Sequence, residues 1–290
     1  MQLRAALRSG LEILLKHQVP SAQLAAELLL MHVLDCDRAF LHTNVGMELA
    51  PAATERFFSL VGERTTGKPV QYITGHQEFW GLDFEVTPSV LIPRPETEHS
   101  IERVLELARR SGFTKDSRLR MVDVGTGSGC IALALASEFP RAILFGADIS
   151  RAALVVASRN AVRLGMPERV KFLEGDLLAR FLDRDFLGSF DFVVSNPPYV
   201  GKGQINSVQR EVRQFEPLIA WGNLDRGDEI YARLFPEAVQ VLKPGGHVVV
   251  EIGYNMRDQV LALLGPEWTD IEVMPDLAGI PRVVSARKSA

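Results

Sequence analysis

The sequence predicts an α/β protein: a doubly wound parallel sheet preceded by a small helical bundle. Three observations carry this. From Leu119 onward, short apolar runs alternate with helical patterns through short loops. The first run, MVDV at 121–124, opens directly into GTGSG at 125–129, and the second, AILFGAD at 142–148, ends on an acidic residue. Before residue 69 the apolar residues recur at helical spacing instead.

The 290 residues suit one large domain or two unequal ones. A hydrophobic fraction of 47% and a charged fraction of 23% are ordinary for a globular chain. Net charge −4 argues against a sequence-blind nucleic-acid binder. The two cysteines, Cys36 and Cys130, match no metal or redox spacing, and the six histidines form no HExxH cluster, so neither a metal site nor an oxidising compartment is expected. No secretory leader pattern and no 18-residue apolar run occur. A cytoplasmic protein is the expectation.

In the first part of the chain, Leu3, Leu7, Leu11 and Leu14 form one helical stripe. Pro20 breaks it, and Ser21 is the expected N-cap of a second helix with Leu24, Leu28 and Met31 on its apolar face. Asp37 caps a short third helix through His42. Pro51 begins a fourth with Phe57, Phe58 and Val61, and Gly67 ends it. No polar constellation marks chemistry here, so residues 1–76 read as a packed interaction module.

The stretch 77–96 is the connector. Phe79, Trp80, Leu82, Phe84 and Val86 alternate around Gly81, which predicts a hairpin. Pro88, Pro93 and Pro95 stiffen the segment after it, and composition alone gives Arg94 and Glu96 only the role of solvated loop charges. A helix through about Arg110 then opens the third region, 97–290.

Gly125, Gly127 and Gly129 permit a tight turn and close approach of backbone to a ligand, with Thr126 and Ser128 between them. The spacing is GxGxG, neither the GxGxxG of dinucleotide folds nor a phosphate loop with its lysine. Asp148, ending the second strand, can accept from both hydroxyls of a ribose. Ser150 caps the next helix, which stops at Gly165. After strand VKFLEG at 170–175, Asp176 can accept from the exocyclic amine of adenine. PGG at 244–246 is read as the turn into HVVVEIG, and a helix over roughly 255–264 and two late strands close the sheet. The polar segment 206–227 suits a substrate-side loop.

The most informative stretch is DFVVSNPPYV at 191–200. A buried strand runs into Asn196, Pro197, Pro198 and Tyr199, a stiff corner at a strand's carboxyl end. The Asn196 side-chain carbonyl can accept one N–H of a planar NH2 group. A carbonyl of the Pro197–Pro198 segment can accept the other, and Tyr199 offers a ring to pack on the flat group.

In this order, GTGSG, Asp148, Asp176 and NPPY resemble the Rossmann-like methyltransferases that use S-adenosyl-L-methionine. QYITGHQEFWGLDFEV, VLIPRPETE, REVRQFEP, LKPGGHVVVEIG and DLAGIPR resemble, more narrowly, the bacterial release-factor glutamine methyltransferases, the PrmC/HemK family. The resemblance implies a helical substrate-recognition domain, a hairpin linker and a seven-stranded methyltransferase domain. It implies methylation of the amide nitrogen of the Gly-Gly-Gln glutamine in class 1 peptide chain release factors, with S-adenosyl-L-homocysteine as product. It places Gly125 to Gly129, Asp148, Asp176, Leu177 and the edge of Asn196 against the cofactor, and Asn196 to Tyr199 on the glutamine. Leu177 stands where some relatives carry an aromatic ring. A monomer is expected. The rival readings are an adenine-N6 DNA or RNA methyltransferase and a ribosomal-protein glutamine methyltransferase. A dinucleotide oxidoreductase lacks its GxGxxG, and a non-catalytic protein has little use for NPPY at a strand tip.

Overall fold

The computed structural model describes the whole chain except the side chain of Asn223. It divides into two compact units: residues 1–76 with 209–215, and residues 77–208 with 216–290.

The first unit is built on α1 (Leu3–Lys16), α2 (Ala22–Leu34), α3 (Arg38–Thr43), α4 (Pro51–Thr65) and α5 (Val70–Thr74). Leu3, Leu14, Leu29, Leu30, Phe57 and Leu60 form its buried core. Gly10 is required where α1 meets α4, because a Cβ there would stand 2.6 Å from the Phe57 ring. Asp37 caps α3 by accepting the Phe40 N–H at 2.7 Å. Two expectations for α2 fail. Ser21 precedes the helix in a left-handed conformation, and its side chain accepts no capping bond. The buried face is Ala22, Ala25, Ala26, Leu29 and Leu30, while Leu24 is exposed. Leu28 and Met31 are half-buried and pack against the same core, so of the expected apolar stripe only Leu24 falls outside it, and the alanines let the neighbouring helices approach closely. In this unit the buried Arg64 side chain pairs with Glu211.

The second unit begins with a hairpin, β1 (His76–Phe79) and β2 (Leu82–Glu85). Trp80 and Gly81 turn it with φ of 55° and 69°, the positive pair that a two-residue hairpin turn needs. Phe79 and Phe84 are buried from this hairpin into the core beneath α6 (Glu98–Arg110).

The central sheet follows as β3 (Arg120–Val124), α7 (Cys130–Glu138), β4 (Ile143–Asp148), α8 (Arg151–Arg163), β5 (Val170–Glu174) and β6 (Phe190–Ser195). A two-stranded pair, β7 (Val200–Gly201) and β8 (Gly222–Leu224), encloses α9 (Arg210–Phe215) and α10 (Leu218–Trp221) between its strands in the chain. Then come α11 (Glu229–Val241), β9 (Leu242–Glu251), α12 (Arg257–Leu261), β10 (Trp268–Pro275) and β11 (Pro281–Lys288). The seven strands lie in the order β10-β11-β9-β6-β3-β4-β5. Those from β9 to β5 are parallel, and β11 and β10 pair antiparallel at one edge. Strand β6 is buried along its whole length, as a parallel strand covered on both faces must be.

Pro244, Gly245 and Gly246 do not end a turn before β9. They lie inside it, where the pairing with β6 shifts register between Phe190 and Phe192. A bulge absorbs the missing proline donor and the glycines without ending the strand.

Candidate functional site

Strand order reverses between β3 and β6, and there a cleft of about 250 Å³ opens at the strands' carboxyl ends. Ser195 pins the two strand tips together, its hydroxyl donating to the Val124 carbonyl at 2.7 Å.

Gly125, Thr126, Gly127 and Ser128 line the cleft from one side. Gly125 and Gly127 hold φ of 73° and 55°, which a side-chain-bearing residue rarely adopts. The Thr126 hydroxyl donates to Asp123 at 2.6 Å, and the Ala132 N–H reaches the same oxygen at 3.2 Å. Burial still pushes the Asp123 carboxyl up to about 7. Asn160, fully buried on α8, donates to the Ser128 and Glu85 carbonyls and accepts the Glu85 N–H, so the hairpin braces the glycine loop. Gly129 lies outside the cleft wall. A Cβ there would stand 3.2 Å from both Ala157 and Leu133, so its smallness serves packing of the loop onto α7 and α8.

Asp148 lines the cleft with both oxygens fixed by backbone: Oδ2 accepts the Gly127 N–H at 2.9 Å, and Oδ1 the Ser150 N–H at 2.8 Å. Burial raises its pKa, opposed by those N–H groups. Each oxygen keeps a second lone pair for a ligand hydroxyl. Asp176 and Leu177 also line the cleft. Arg233 holds Asp176 Oδ2 at 2.5 Å, which leaves Oδ1 as an acceptor. Leu177 sits at φ 49°, a left-handed conformation uncommon outside glycine.

Asn196, Pro197 and Pro198 form the opposite side. A Cβ on Gly125 would stand 4.0 Å from the Asn196 carbonyl oxygen, so the glycine loop and the NPPY corner are neighbours. Asn196 Nδ2 donates to Thr97 Oγ1 at 3.0 Å, and that hydroxyl donates to Glu251 Oε2 at 2.6 Å. Tyr199 does not line the cleft as expected. Its ring abuts Gly253, where a Cβ would come within 3.1 Å of it, and its hydroxyl lies 3.5 Å from Glu251 Oε1. A ring wedged on that side cannot also cover a flat group beside Asn196 without a rotamer change.

Sequence reasoning missed the connector's part. Ser89, Leu91, Pro93, Arg94 and Thr97 line the cleft, as do Pro217 and Ile219 from the segment after NPPY. Arg94 is no solvated loop charge: it reaches Glu216 Oε1 at 2.5 Å, and Glu216 Oε2 accepts the Ile92 N–H at 3.2 Å. The unusual proline density of VLIPRPETE was the available signal, because stiffness without a packing reason points to a wall that must be held.

The architecture, with its glycine loop and acidic strand ends around a switch-point cleft, defines a methyltransferase on a doubly wound sheet. Residues 5–75 match the PrmC N-terminal domain, and residues 110–215 match the methyltransferase small domain. Release factor glutamine methyltransferase from Koribacter versatilis is 49% identical over 99% of this chain and 99% of its own. The protein of the same name from Moorella thermoacetica is 41% identical over 97% of each. The chain belongs to the family of release factor glutamine methyltransferases. Among solved structures, the catalytic domain of hMettl16, crystallised with an RNA hairpin, shares the fold at TM-score 0.52 and 17% identity, over 79% of this chain and 81% of that one.

Proposed function

We propose that the protein transfers a methyl group from S-adenosyl-L-methionine to the side-chain amide nitrogen (N5) of the glutamine in the Gly-Gly-Gln loop of class 1 peptide chain release factors. S-adenosyl-L-homocysteine is the other product. The observation that carries this reading is the Asn196 amide, fixed at the cleft by Thr97 and beside the glycine loop. The activity for which the family is named supports the same reading.

The residues present fit the cofactor. Gly125 and Gly127 leave a backbone cradle that a Cβ at positive φ would distort. Asp148 suits the ribose hydroxyls and Asp176 Oδ1 the adenine amine, while Leu177 and Ile149 supply an apolar wall for the base. When bound, S-adenosyl-L-methionine supplies a methyl group already activated on a sulfonium.

The protein's own task is placement. With Nδ2 given to Thr97, Asn196 turns Oδ1 into the acceptor available to a substrate N–H. A carbonyl of the Pro197–Pro198 segment takes the second N–H. As positive charge develops on the amide nitrogen, both bonds strengthen, which is stabilisation specific to the transition state. The methylated amide nitrogen sheds its proton readily, so no positioned histidine is needed. Tyr199 supports this corner from behind, against Gly253 and Glu251.

We assign residues 1–76 to recognition of the protein substrate, 77–96 to the linker and 97–290 to methyl transfer, in a cytoplasmic monomer. Among the described residues no helix is long and apolar enough to cross a membrane. The test is transfer from labelled S-adenosyl-L-methionine to purified release factor, beside a variant with the Gly-Gly-Gln glutamine replaced. Label on the first alone is expected. Label on neither, but on RNA, DNA or a ribosomal protein, overturns the substrate.

A further inference from the structure

Three side chains from distant parts of the chain form one hydrogen-bonded line at the cleft, buried at Thr97 and Glu251 and half-buried at Asn196. Asn196 Nδ2 donates to Thr97 Oγ1 at 3.0 Å, and Thr97 Oγ1 donates to Glu251 Oε2 at 2.6 Å. Thr97 is 2% exposed and Glu251 2% exposed, so water cannot readily substitute for either partner. A threonine hydroxyl has one proton. Once that proton is committed to a carboxylate, the oxygen can only accept from Asn196. The amide must then present NH2 to Thr97 and its oxygen to the cleft.

We propose that Thr97 and Glu251 are positioning residues that set which end of the Asn196 amide faces the substrate. The inference rests on the function proposed above. If Glu251 were replaced by glutamine, or carried a proton, it could donate to Thr97. The freed hydroxyl proton could then go to Asn196 Oδ1, and the amide would turn NH2 toward a substrate NH2. Donor would face donor, and the hydrogen bond that orients the nucleophile would be lost.

Burial pushes the Glu251 carboxyl up to about 7, opposed first by the Thr97 hydrogen bond. The groups acting on it are Arg282 on β11, which favours the charged form, and Glu96, which disfavours it. The Tyr199 hydroxyl, the Tyr231 hydroxyl on the Glu251 carbonyl and the Cys130 thiol complete its surroundings. The line is therefore set correctly above about pH 7 and released below it.

The test uses the full chain saturated with S-adenosyl-L-homocysteine for spectroscopy and with release factor for kinetics. In the wild type, the Asn196 side-chain amide resonances should titrate with a midpoint near Glu251's own value of about 7. Thr97→Val should abolish that response and Thr97→Ser should restore it. Glu251→Gln should lower kcat about 10-fold to 100-fold, leave cofactor affinity unchanged and remove the acid limb of the rate profile. Amide resonances that titrate equally in wild type and Thr97→Val, in a folded protein, overturn the proposal. So does a Glu251→Gln enzyme with the wild-type rate profile. A wild type that methylates no release factor overturns the function proposed above instead, and the amide titration still decides the orientation.

Discussion

Asp148 Oδ2 accepts the Gly127 N–H at 2.9 Å, so the acidic end of β4 and the glycine loop after β3 hold each other in place. Neither can shift alone. The carboxylate is aimed by the same backbone that makes the cradle, which removes rotamer freedom before any ligand arrives.

Asp148→Ala should therefore weaken the cofactor twice over, by losing the acceptor and by loosening the loop. Two charge-assisted bonds at about 1.5–3 kcal/mol each give a loss of at least tenfold, and more where both count. Thermal stabilisation by S-adenosyl-L-homocysteine is the measurement. An undiminished shift in Asp148→Ala sinks the assignment.

Asn196→Ala separates the two halves of the cleft. Turnover should fall about 10²-fold or more, on the scale of one lost oriented polar group. Stabilisation by S-adenosyl-L-homocysteine should persist, because Asp148 and the glycine loop are untouched. Near-normal turnover would remove Asn196 from the chemistry.

The sheet, the glycine loop and the strand-tip carboxylates were legible because each depends on local sequence. A β-branched run, a glycine at positive φ and an acid at a strand end are set by residues a few positions apart. The features that escaped depend on pairs far apart in the chain. Arg94 looked like a loop charge until Glu216 met it across 122 positions, and Thr97 and Glu251 are 154 positions apart. Tyr199 was read from its motif, yet Gly253 decides where its ring rests. In α2 apolar residues are so dense that spacing does not single out one face, and the exposed Leu24 was indistinguishable from the buried Leu29 and Leu30.

The Arg94–Glu216 pair ties the connector to the segment after NPPY. Glu216 is buried, and Arg94 is about one-third exposed. Arg94→Met leaves a buried carboxylate with only the Ile92 N–H, and should cost about 2 kcal/mol, less than a fully buried broken pair because water reaches the arginine side. Adding Glu216→Gln should recover part of that loss. Urea midpoints of the single and double variants make the comparison, and strictly additive losses exclude the pair as the cause.

Gly227 holds φ 101°, and a Cβ there would stand 2.4 Å from the Tyr199 carbonyl oxygen. Both the conformation and the clash involve backbone, so no side chain can rotate to make room. Gly227→Ala should destabilise by about 1–3 kcal/mol and lower turnover, since relief requires moving the end of NPPY. A variant with unchanged melting temperature and unchanged rate contradicts the rigidity argued for that corner.

Asp123 gives a pH dependence of defined sign. Burial raises its carboxyl from an ordinary 3.8 to about 7 in the folded protein, so the folded state binds a proton that the unfolded state has already released. Its contribution is fully present below about pH 4 and is lost as pH rises through about 7. Three pH units correspond to about 4 kcal/mol as an upper bound. Asp123→Asn keeps an oxygen for the Thr126 hydroxyl and the Ala132 N–H and carries no charge at any pH. Its stability should fall less than the wild type's between pH 4 and pH 8, and at pH 8 it should be the more stable of the two. Glu251 acts with the same sign in both proteins, so the difference between their urea midpoints isolates Asp123. Parallel curves across that range would mean that the Asp123 carboxyl titrates at its ordinary value despite its burial.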